Sequence, residues 1–456
     1  FVLLVFLLLA QQSPVKISPS PKSGILYVNT KQERKMKMNY DSTTRVLTID
    51  NYYDLVKFAR KQDWEFNCNH PKKIIIDVYD VLDPISPKDV DNLMDKKVYT
   101  QVECFEVTHP MNRSLKTIDG ILYTKDGKTL ILCPPQKIGR VEIAEGTETI
   151  YEGAFKNCRI NGVKFPDSMR RIESSAFCEC RNLKVVEMND DLEYILDAAF
   201  YSCHKLKKVK FAKKLKKIAY GAFYSTNLKK ITLPEGLTGI GPNAFARCHL
   251  KDVYLPDSIV SIGNGAFSWT DNIYASRYHV NILYGITTNY AVECNVLDTM
   301  TNGRYAMHAT LHIEGLTPIV VPRCVDNDVF CMNINANDMD MLNNDIKKYI
   351  ETGKNKYLYR LYMYGHNDRC KEDAAIAIVM RYKNAASAKR YLTRMAEDIA
   401  KRAAEKNEEK FVQMLNAVEW SDTALRRMLP AMEESELQIA KAYILEKIRT
   451  KETFEV

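Results

Sequence analysis

Residues 228–250 read LKKITLPEGLTGIGPNAFARCHL, and this pattern recurs along the middle of the chain. Its Ala-Phe dipeptide occurs in six copies, and the interval between successive phenylalanines is nearly constant. These phenylalanines are Phe155, Phe177, Phe200, Phe223, Phe245 and Phe267. An isoleucine lies five residues before each of them, and a cysteine or threonine lies three residues after it. Six copies in register indicate a repeat architecture.

The physics of such a repeat predicts a solenoid. A unit of this length cannot bury its own apolar face, so stacked copies must share one continuous core. Each copy begins with a short strand pattern in which two apolar residues flank another residue, as Val209 and Phe211 do. We therefore predict a parallel sheet on one wall, with the isoleucine and Ala-Phe positions on the opposite wall. The six phenylalanines are expected to form the structural core of the repeats.

The unit at 228–250 resembles the BspA-type leucine-rich repeat. The lead-in TIDGILYTKDGKTLILCPP, at 117–135, is similar to the same family. This resemblance covers about residues 115–270, and it implies an α/β solenoid: a curved, right-handed leucine-rich repeat with a parallel sheet on its concave side. Members of the family are generally binding proteins rather than enzymes, and many are located on cell surfaces. Thr226 and Thr270 replace the cysteine of the repeat, which affects only local turn detail.

The flanks of the repeat predict further regions of different character. We divide the chain into an unstructured segment at 1–35, a small α/β N-terminal cap at 36–112, the solenoid at 113–275, extra strands and a connector at 276–336, and an all-α helical repeat region at 337–456. The cap is expected to hold a strand at Val46–Ile49 and helices at 54–62 and after Ser86.

The last region has helical periodicity throughout. AAEKNEEKFVQML, at 403–415, resembles the paired helices of an ankyrin repeat, which implies a second array of stacked helices. A plain helical bundle is the alternative. Pro430 is expected to interrupt the helical pattern.

The N-terminal segment leaves the cellular compartment open between two interpretations. Residues 1–10, FVLLVFLLLA, are too few to span a bilayer, and we expect no transmembrane segment. They fit the apolar part of a signal peptide, which would make the chain secreted or surface-bound. Alternatively, translation of a bacterial, cytoplasmic protein starts at Met36 or Met38, and residues 1–35 are upstream sequence. We favour the second interpretation.

No motif for catalysis, cofactor binding or metal binding is visible in the sequence. The 12 cysteines include no CxxC pair, the eight histidines form no HExxH motif, and no glycine-rich phosphate loop occurs. A chain of 456 residues can build its core without disulfides, so we expect reduced and mostly buried thiols. We expect no cofactor, no metal and no enzymatic activity.

Lysines form the most prominent charged feature. The net charge is +8, and eight lysines fall within residues 205–217. The repeat register places several of them on the solvent face of the parallel sheet, where neighbouring strands stand about 4.8 Å apart. We name the predicted surface the lysine ladder, and its members are Lys184, Lys207, Lys208, Lys210, Lys229, Lys230 and Lys251. It is expected to bind an acidic protein partner, and a merely solvated face that discourages aggregation is the alternative.

The sequence therefore predicts a non-catalytic protein-binding scaffold built from stacked repeats. A cell-surface adhesin that binds host or matrix proteins is one alternative, and it requires residues 1–10 to be the remnant of a signal peptide. Nucleic-acid binding through the lysine ladder is another alternative. It is disfavoured because only Phe211 lies within the lysine run, and we place that ring in the core.

Overall fold

The computed structural model describes most of the chain from residue 99 onward and shorter stretches before it. The described residues are 25–28, 36–50, 71–78, 99–248, 250–287, 307–325, 338–382, 384–404, 408–433 and 437–452. The predicted signal remnant, the predicted helices of the cap and most of the predicted connector lie outside these residues. The chain divides into two compact units, at 1–228 and 229–456.

The first unit begins with a mixed sheet in which the strands lie in sequence order. Its strands are β1 (Ile25–Val28), β2 (Met36–Asp41), β3 (Val46–Ile49), β4 (Lys73–Ile76) and β5 (Cys104–Val107). The pairs β1–β2 and β2–β3 are antiparallel, whereas β3, β4 and β5 are parallel. β3 lies where the sequence predicts it. β1 falls within the segment predicted to be unstructured, so that prediction is wrong for residues 25–28.

A 3-10 helix precedes β5, and three antiparallel strands that follow β5 connect this sheet to the repeats. They are the 3-10 helix Tyr99–Gln101, β6 (Leu115–Ile118), β7 (Ile121–Thr124) and β8 (Thr129–Leu132).

The repeats of the first unit then form two parallel ladders. Three-residue strands make one ladder: β9 (Arg140–Glu142), β11 (Gly162–Lys164), β13 (Val185–Glu187) and β15 (Lys208–Lys210). Two-residue strands continue from β8 in the other ladder: β10 (Thr149–Ile150), β12 (Arg171–Ile172), β14 (Tyr194–Ile195) and β16 (Lys217–Ile218). The sequence predicts the first ladder. The second carries the repeated isoleucines and is an addition to the prediction.

The phenylalanines of the Ala-Phe dipeptides are all buried. In the first unit their rings form a continuous column, with centroid distances of 4.6 Å from Phe155 to Phe177, 5.0 Å from Phe177 to Phe200 and 5.0 Å from Phe200 to Phe223. In the second unit Phe245 stacks on Phe267 at 5.5 Å. Within each unit, these turns therefore pack a flat ring directly onto the ring of the next turn.

The turns around these phenylalanines use left-handed backbone at two fixed positions. Two residues before the phenylalanine, φ is +56° at Ser175, +53° at Ala198 and +56° at Gly221. Two residues after it, φ is +57° at Glu179 and +56° at Ser202. Non-glycine residues adopt this conformation at a cost of roughly 1–2 kcal/mol each. The stacked turns of the solenoid must therefore supply the stabilisation that holds these residues in place.

The second unit continues with short strands of the same kind. Its strands are β17 (Gly239–Ile240), β18 (Asp252–Tyr254), β19 (Ser261–Ile262), β20 (Asn272–Ala275), β21 (His308–Ile313) and β22 (Ile319–Pro322). β17 pairs with β19, and β18, β20 and β21 are parallel neighbours, with β22 antiparallel to β21. The predicted extra strands after the repeat thus extend a sheet.

From residue 338 onward the described residues of the second unit are mainly helical, as the sequence predicts, and one further helix precedes β21. Its helices are α1 (Val280–Ile286), α2 (Asp338–Thr352), a 3-10 helix (Asn355–Tyr364), α3 (Asp368–Arg381), α4 (Ala386–Arg394), α5 (Ala396–Ala404), α6 (Glu408–Ala417), α7 (Asp422–Glu433) and α8 (Gln438–Glu452). The expected interruption at Pro430 is wrong, because α7 continues through it to Glu433. The choice between an ankyrin-like array and a bundle stays a prediction.

The predicted architecture is confirmed: a solenoid of stacked short strands is followed by a helical C-terminal region. Among the described residues, no helix has both the length and the apolar character needed to cross a membrane.

Candidate interaction surfaces

The β9–β15 sheet of the first unit presents one face to the core and one to solvent. Val141, Val163 and Val186 occupy the central position of successive strands and are buried. The residues on either side of each valine point away from the core, because side chains alternate along a strand. These outward positions form two rows. The first row holds Arg140, Gly162, Val185 and Lys208, and the second holds Glu142, Lys164, Glu187 and Lys210.

Charges on the first three strands of this face are paired with one another. The Arg140 side chain passes beside Gly162, and its Nη2 lies 3.1 Å from Oε2 of Glu187. Lys164 Nζ lies 4.0 Å from Oε1 of Glu142. The arrangement neutralises this end of the sheet, so the charged face there is an ion-pair network rather than a run of lysines.

The fourth strand differs, and it carries the centre of the lysine ladder. Lys207, Lys208 and Lys210, which we name the sheet lysines, are exposed. Lys184 is also exposed and adjoins them, because its carbonyl oxygen accepts hydrogen bonds from the backbone N–H groups of Lys207 and Lys208. Within the part of the chain that the structure describes, none of these four ammonium groups forms an ion pair. They form a local concentration of positive charge without direct ion pairs, although Lys210 faces Glu187 on the neighbouring strand and acts electrostatically on Asp190.

Three other lysines of the same run are paired, and we name Lys213, Lys214 and Lys216 the paired lysines. Each ammonium group lies 2.6 Å from a carboxylate of the preceding repeat, on Asp190, Asp191 and Glu193 in that order. The hydrogen bond from Lys213 lowers the pKa of Asp190, and the hydrogen bond from Lys214 lowers that of Asp191. The lysine run therefore contains two sets with different electrostatic roles.

The remaining members of the lysine ladder belong to the second unit. Lys229, Lys230 and Lys251 are exposed there. No ion pair involves any of the three within the described ranges. That all seven lysines form one surface stays a prediction.

Sequence reasoning missed an aromatic stack in the second unit. Tyr254, Tyr274 and His312 occupy paired positions on β18, β20 and β21, and their rings stack at centroid distances of 4.5 and 4.3 Å. Tyr254 holds the repeat position that Lys210 holds two repeats earlier, so the register contains the signal. The next interval, from Tyr254 to Tyr274, is shorter than the regular interval of the repeat, which obscures the pattern.

The repeated cysteines are structural. Cys180 donates its thiol hydrogen to the carbonyl oxygen of Phe155 at 2.9 Å, and Cys203 donates to that of Phe177 at 3.1 Å. Burial raises the pKa of the Cys158, Cys180 and Cys203 thiols, which disfavours the nucleophilic thiolate. The expectation of reduced thiols does not hold everywhere, because Cys324 is disulfide-bonded. The described residues contain no group of His, Cys, Asp and Glu side chains suited to a metal ion.

Comparison with known proteins identifies the repeat. The family model described as the BspA type leucine-rich repeat region matches residues 148–274 in six copies. These residues are a BspA-type leucine-rich repeat region. The recognition made from the Ala-Phe pattern is thereby confirmed. The matched residues fall in both units and include all seven lysines of the ladder, Lys184 to Lys251.

Solved structures of bacterial leucine-rich repeat proteins are similar to the chain over part of its length. The protein from Eubacterium ventriosum is 17% identical, with a TM-score of 0.35, and the match covers 44% of this chain and 59% of that one. The protein from Bacteroides ovatus is 29% identical, with a TM-score of 0.30, over 35% of this chain and 45% of that one. The match thus spans about half the length of these structures. Among curated proteins, none matches the chain.

Proposed function

We propose that the chain is a non-catalytic protein-binding scaffold and that the sheet lysines, together with Lys184, dock an acidic protein partner. The observation that carries this proposal is the contrast within one lysine run: the paired lysines form ion pairs with carboxylates, and the sheet lysines form none with any residue that the structure describes. Leucine-rich repeat proteins are generally scaffolds without catalytic activity, which supports the same conclusion.

The physical case rests on where charge is left uncompensated. Exposed ammonium groups on adjacent positions repel one another, and an anionic partner relieves that repulsion as it binds. Such contacts accelerate association and lose strength as salt is added. The solvent face of the sheet is also where repeat proteins present their extended binding surfaces, so lysines in this position are placed to meet a partner.

The chain provides a matched pair of variants to test this proposal. K207Q/K208Q/K210Q removes three unpaired charges, whereas K213Q/K214Q/K216Q/D190N/D191N/E193Q removes three lysines together with the carboxylates that pair with them, so that no carboxylate is left unpaired. The probe is a fluorescein-labelled decaglutamate peptide, and its affinity is measured by fluorescence anisotropy at 0.15 M salt, where screening over about 8 Å suppresses long-range effects. We expect the first variant to bind the peptide several-fold more weakly, and the second to bind it nearly as wild type does.

The same variants decide between the proposal and its alternatives. Equal affinity of wild type and both variants for the peptide would leave the sheet lysines as a solvated face. A labelled single-stranded DNA oligonucleotide serves as the second probe. The surface is a nucleic-acid site if wild type binds DNA but not decaglutamate. In that case the slope of log affinity against log salt should fall, in K207Q/K208Q/K210Q, by roughly one unit per lost phosphate contact.

A further inference from the structure

The aromatic stack of the second unit ends in an open ring. Tyr254, Tyr274 and His312 lie nearly parallel, with interplanar angles of 13° and 16° between neighbours. Tyr274 has a ring on each side, but Tyr254 stacks only on Tyr274 among the described residues, and it is 63% exposed. A large aromatic side chain on the solvent face of a sheet therefore offers one unoccupied π-face.

Polar side chains flank the stack and are held in place by hydrogen bonds. On one side Asn272 Nδ2 donates to Oδ1 of Asp252 at 2.9 Å. On the other side Ser276 Oγ donates to Oδ1 of Asp257 at 2.5 Å, and Glu314 is exposed. Asp257 and Glu314 line a shallow groove together with the three rings of the stack. The groove is thus lined by the exposed ring of Tyr254 and by two carboxylate side chains.

The charge around this groove favours a cation. Asp257 and Glu314 line the groove, and Asp252 lies beside the stack, which gives three carboxylates. The described cations near them are Arg381, which acts electrostatically on His312, and Arg277, which lines an adjoining cavity with Asp257. Burial, assisted by Arg381, lowers the pKa of His312, so its imidazole is neutral at pH 7 and adds no positive charge. The negative face of an aromatic ring and neighbouring carboxylates both attract a positively charged group.

We propose that this groove binds an arginine side chain of a basic peptide segment, with the guanidinium stacked on the open face of Tyr254 and paired with Asp257. Arginine fits better than lysine because its planar guanidinium stacks on a ring while its N–H groups engage a carboxylate. This site goes beyond the proposed function, since it uses other residues and selects a ligand of opposite charge. The two proposals can therefore fail independently.

The test uses the full chain and a labelled hexa-arginine peptide, followed by fluorescence anisotropy at 0.15 M salt. Tyr254→Leu keeps an apolar side chain and removes the ring, and we expect it to weaken peptide binding about two- to fivefold, the range for a cation–π contact at an exposed site. Asp257→Asn keeps the shape of the side chain and should weaken binding to a similar extent. Hexalysine should bind more weakly than hexa-arginine.

Tyr220→Leu is the matched control, because Tyr220 is also an exposed tyrosine, 52% accessible, but belongs to the first unit. It should leave the affinity for hexa-arginine unchanged. Near-UV circular dichroism checks that each variant is folded. The proposal is overturned if wild type does not bind hexa-arginine at millimolar concentration, or if Tyr254→Leu binds it as tightly as wild type does. It is also overturned if maltohexaose, a neutral sugar, binds in a Tyr254-dependent way while hexa-arginine does not.

Discussion

Replacement of Phe200 by alanine tests the repeat core at a ring that is stacked on both faces. Phe200 is fully buried, with Phe177 at 5.0 Å and an interplanar angle of 3° on one side, and Phe223 at 5.0 Å and 8° on the other. Truncation of a buried phenylalanine to alanine costs about 3–5 kcal/mol through lost burial and the cavity that remains. Each stacked pair contributes about 0.5–1.5 kcal/mol beyond burial. Phe200→Leu, which keeps most of the apolar volume, should therefore lose about 1–3 kcal/mol through its two pairs.

The assay must report on one part of the chain, because two compact units need not unfold together. Hydrogen exchange measured by mass spectrometry meets this need. In a solenoid each repeat contacts only its neighbours, so Phe200→Ala should raise exchange in peptides that cover β13 to β16. Peptides from α7 and α8 of the second unit should exchange as in wild type.

Tyr201→Leu is the control for this substitution, since Tyr201 adjoins Phe200 but is only partly buried and stacks on a single ring, Tyr224, at 4.9 Å. It should change protection much less than Phe200→Ala does. Unchanged exchange at β13 to β16 in Phe200→Ala would refute the assignment of this ring to the core. Faster exchange spread evenly over both units would refute the nearest-neighbour coupling.

Two further predictions concern backbone strain and pH. Ala198→Gly should stabilise the first unit by up to about 1 kcal/mol, because Ala198 has a φ of +53°, which glycine adopts without strain. The control Ala199→Gly, at a buried neighbour without positive φ, should destabilise the unit by about 1 kcal/mol, because glycine gives the unfolded chain more freedom. Urea denaturation of the two variants measures the difference. Burial raises the pKa of Glu372 to about 7 despite its ion pair with Arg402, so the folded chain binds this proton more tightly than the unfolded chain does. The contribution of this proton to the free energy of unfolding is fully present below pH 4.5 and is lost as pH rises through about 7. Glu372→Gln should therefore make the melting temperature of the helical region depend less on pH.

The repeat core was predictable because its positions are fixed by period. Six phenylalanines in register place a ring at the same position of each turn, which predicts their burial in the repeat core. The left-handed positions were not predictable in the same way, because glycine, serine and alanine all occupy the position of Ala198 in the first unit. Packing between turns imposes that conformation and overrides the preference of the individual residue.

Surface features could be predicted from the sequence only where their spacing follows the repeat. The ion pair of Lys213 with Asp190 spans one repeat, so the sequence contains that pairing although charge counting alone misses it. The aromatic stack departs from the period and needed the strand pairing of β18, β20 and β21. The predicted interruption at Pro430 was wrong because it relied on the low helix propensity of proline alone. α7 packs against α5 and α8, and this packing keeps the helix continuous through Pro430.

The solenoid separates the residues that fold the chain from those that select a ligand. Inward positions of the strands are restricted to a few apolar residues, whereas outward positions vary without cost to the core, from Lys210 on β15 to Tyr254 on β18. One outward surface then carries lysines without carboxylate partners, and another carries an open aromatic ring beside carboxylates. Substitutions at these outward positions should change which peptide binds while leaving the protection of the repeat core unchanged. Substitutions in the core, such as Phe200→Ala, should lower the protection of the repeat core without changing which peptide binds. These two opposite results distinguish a binding residue from a structural one.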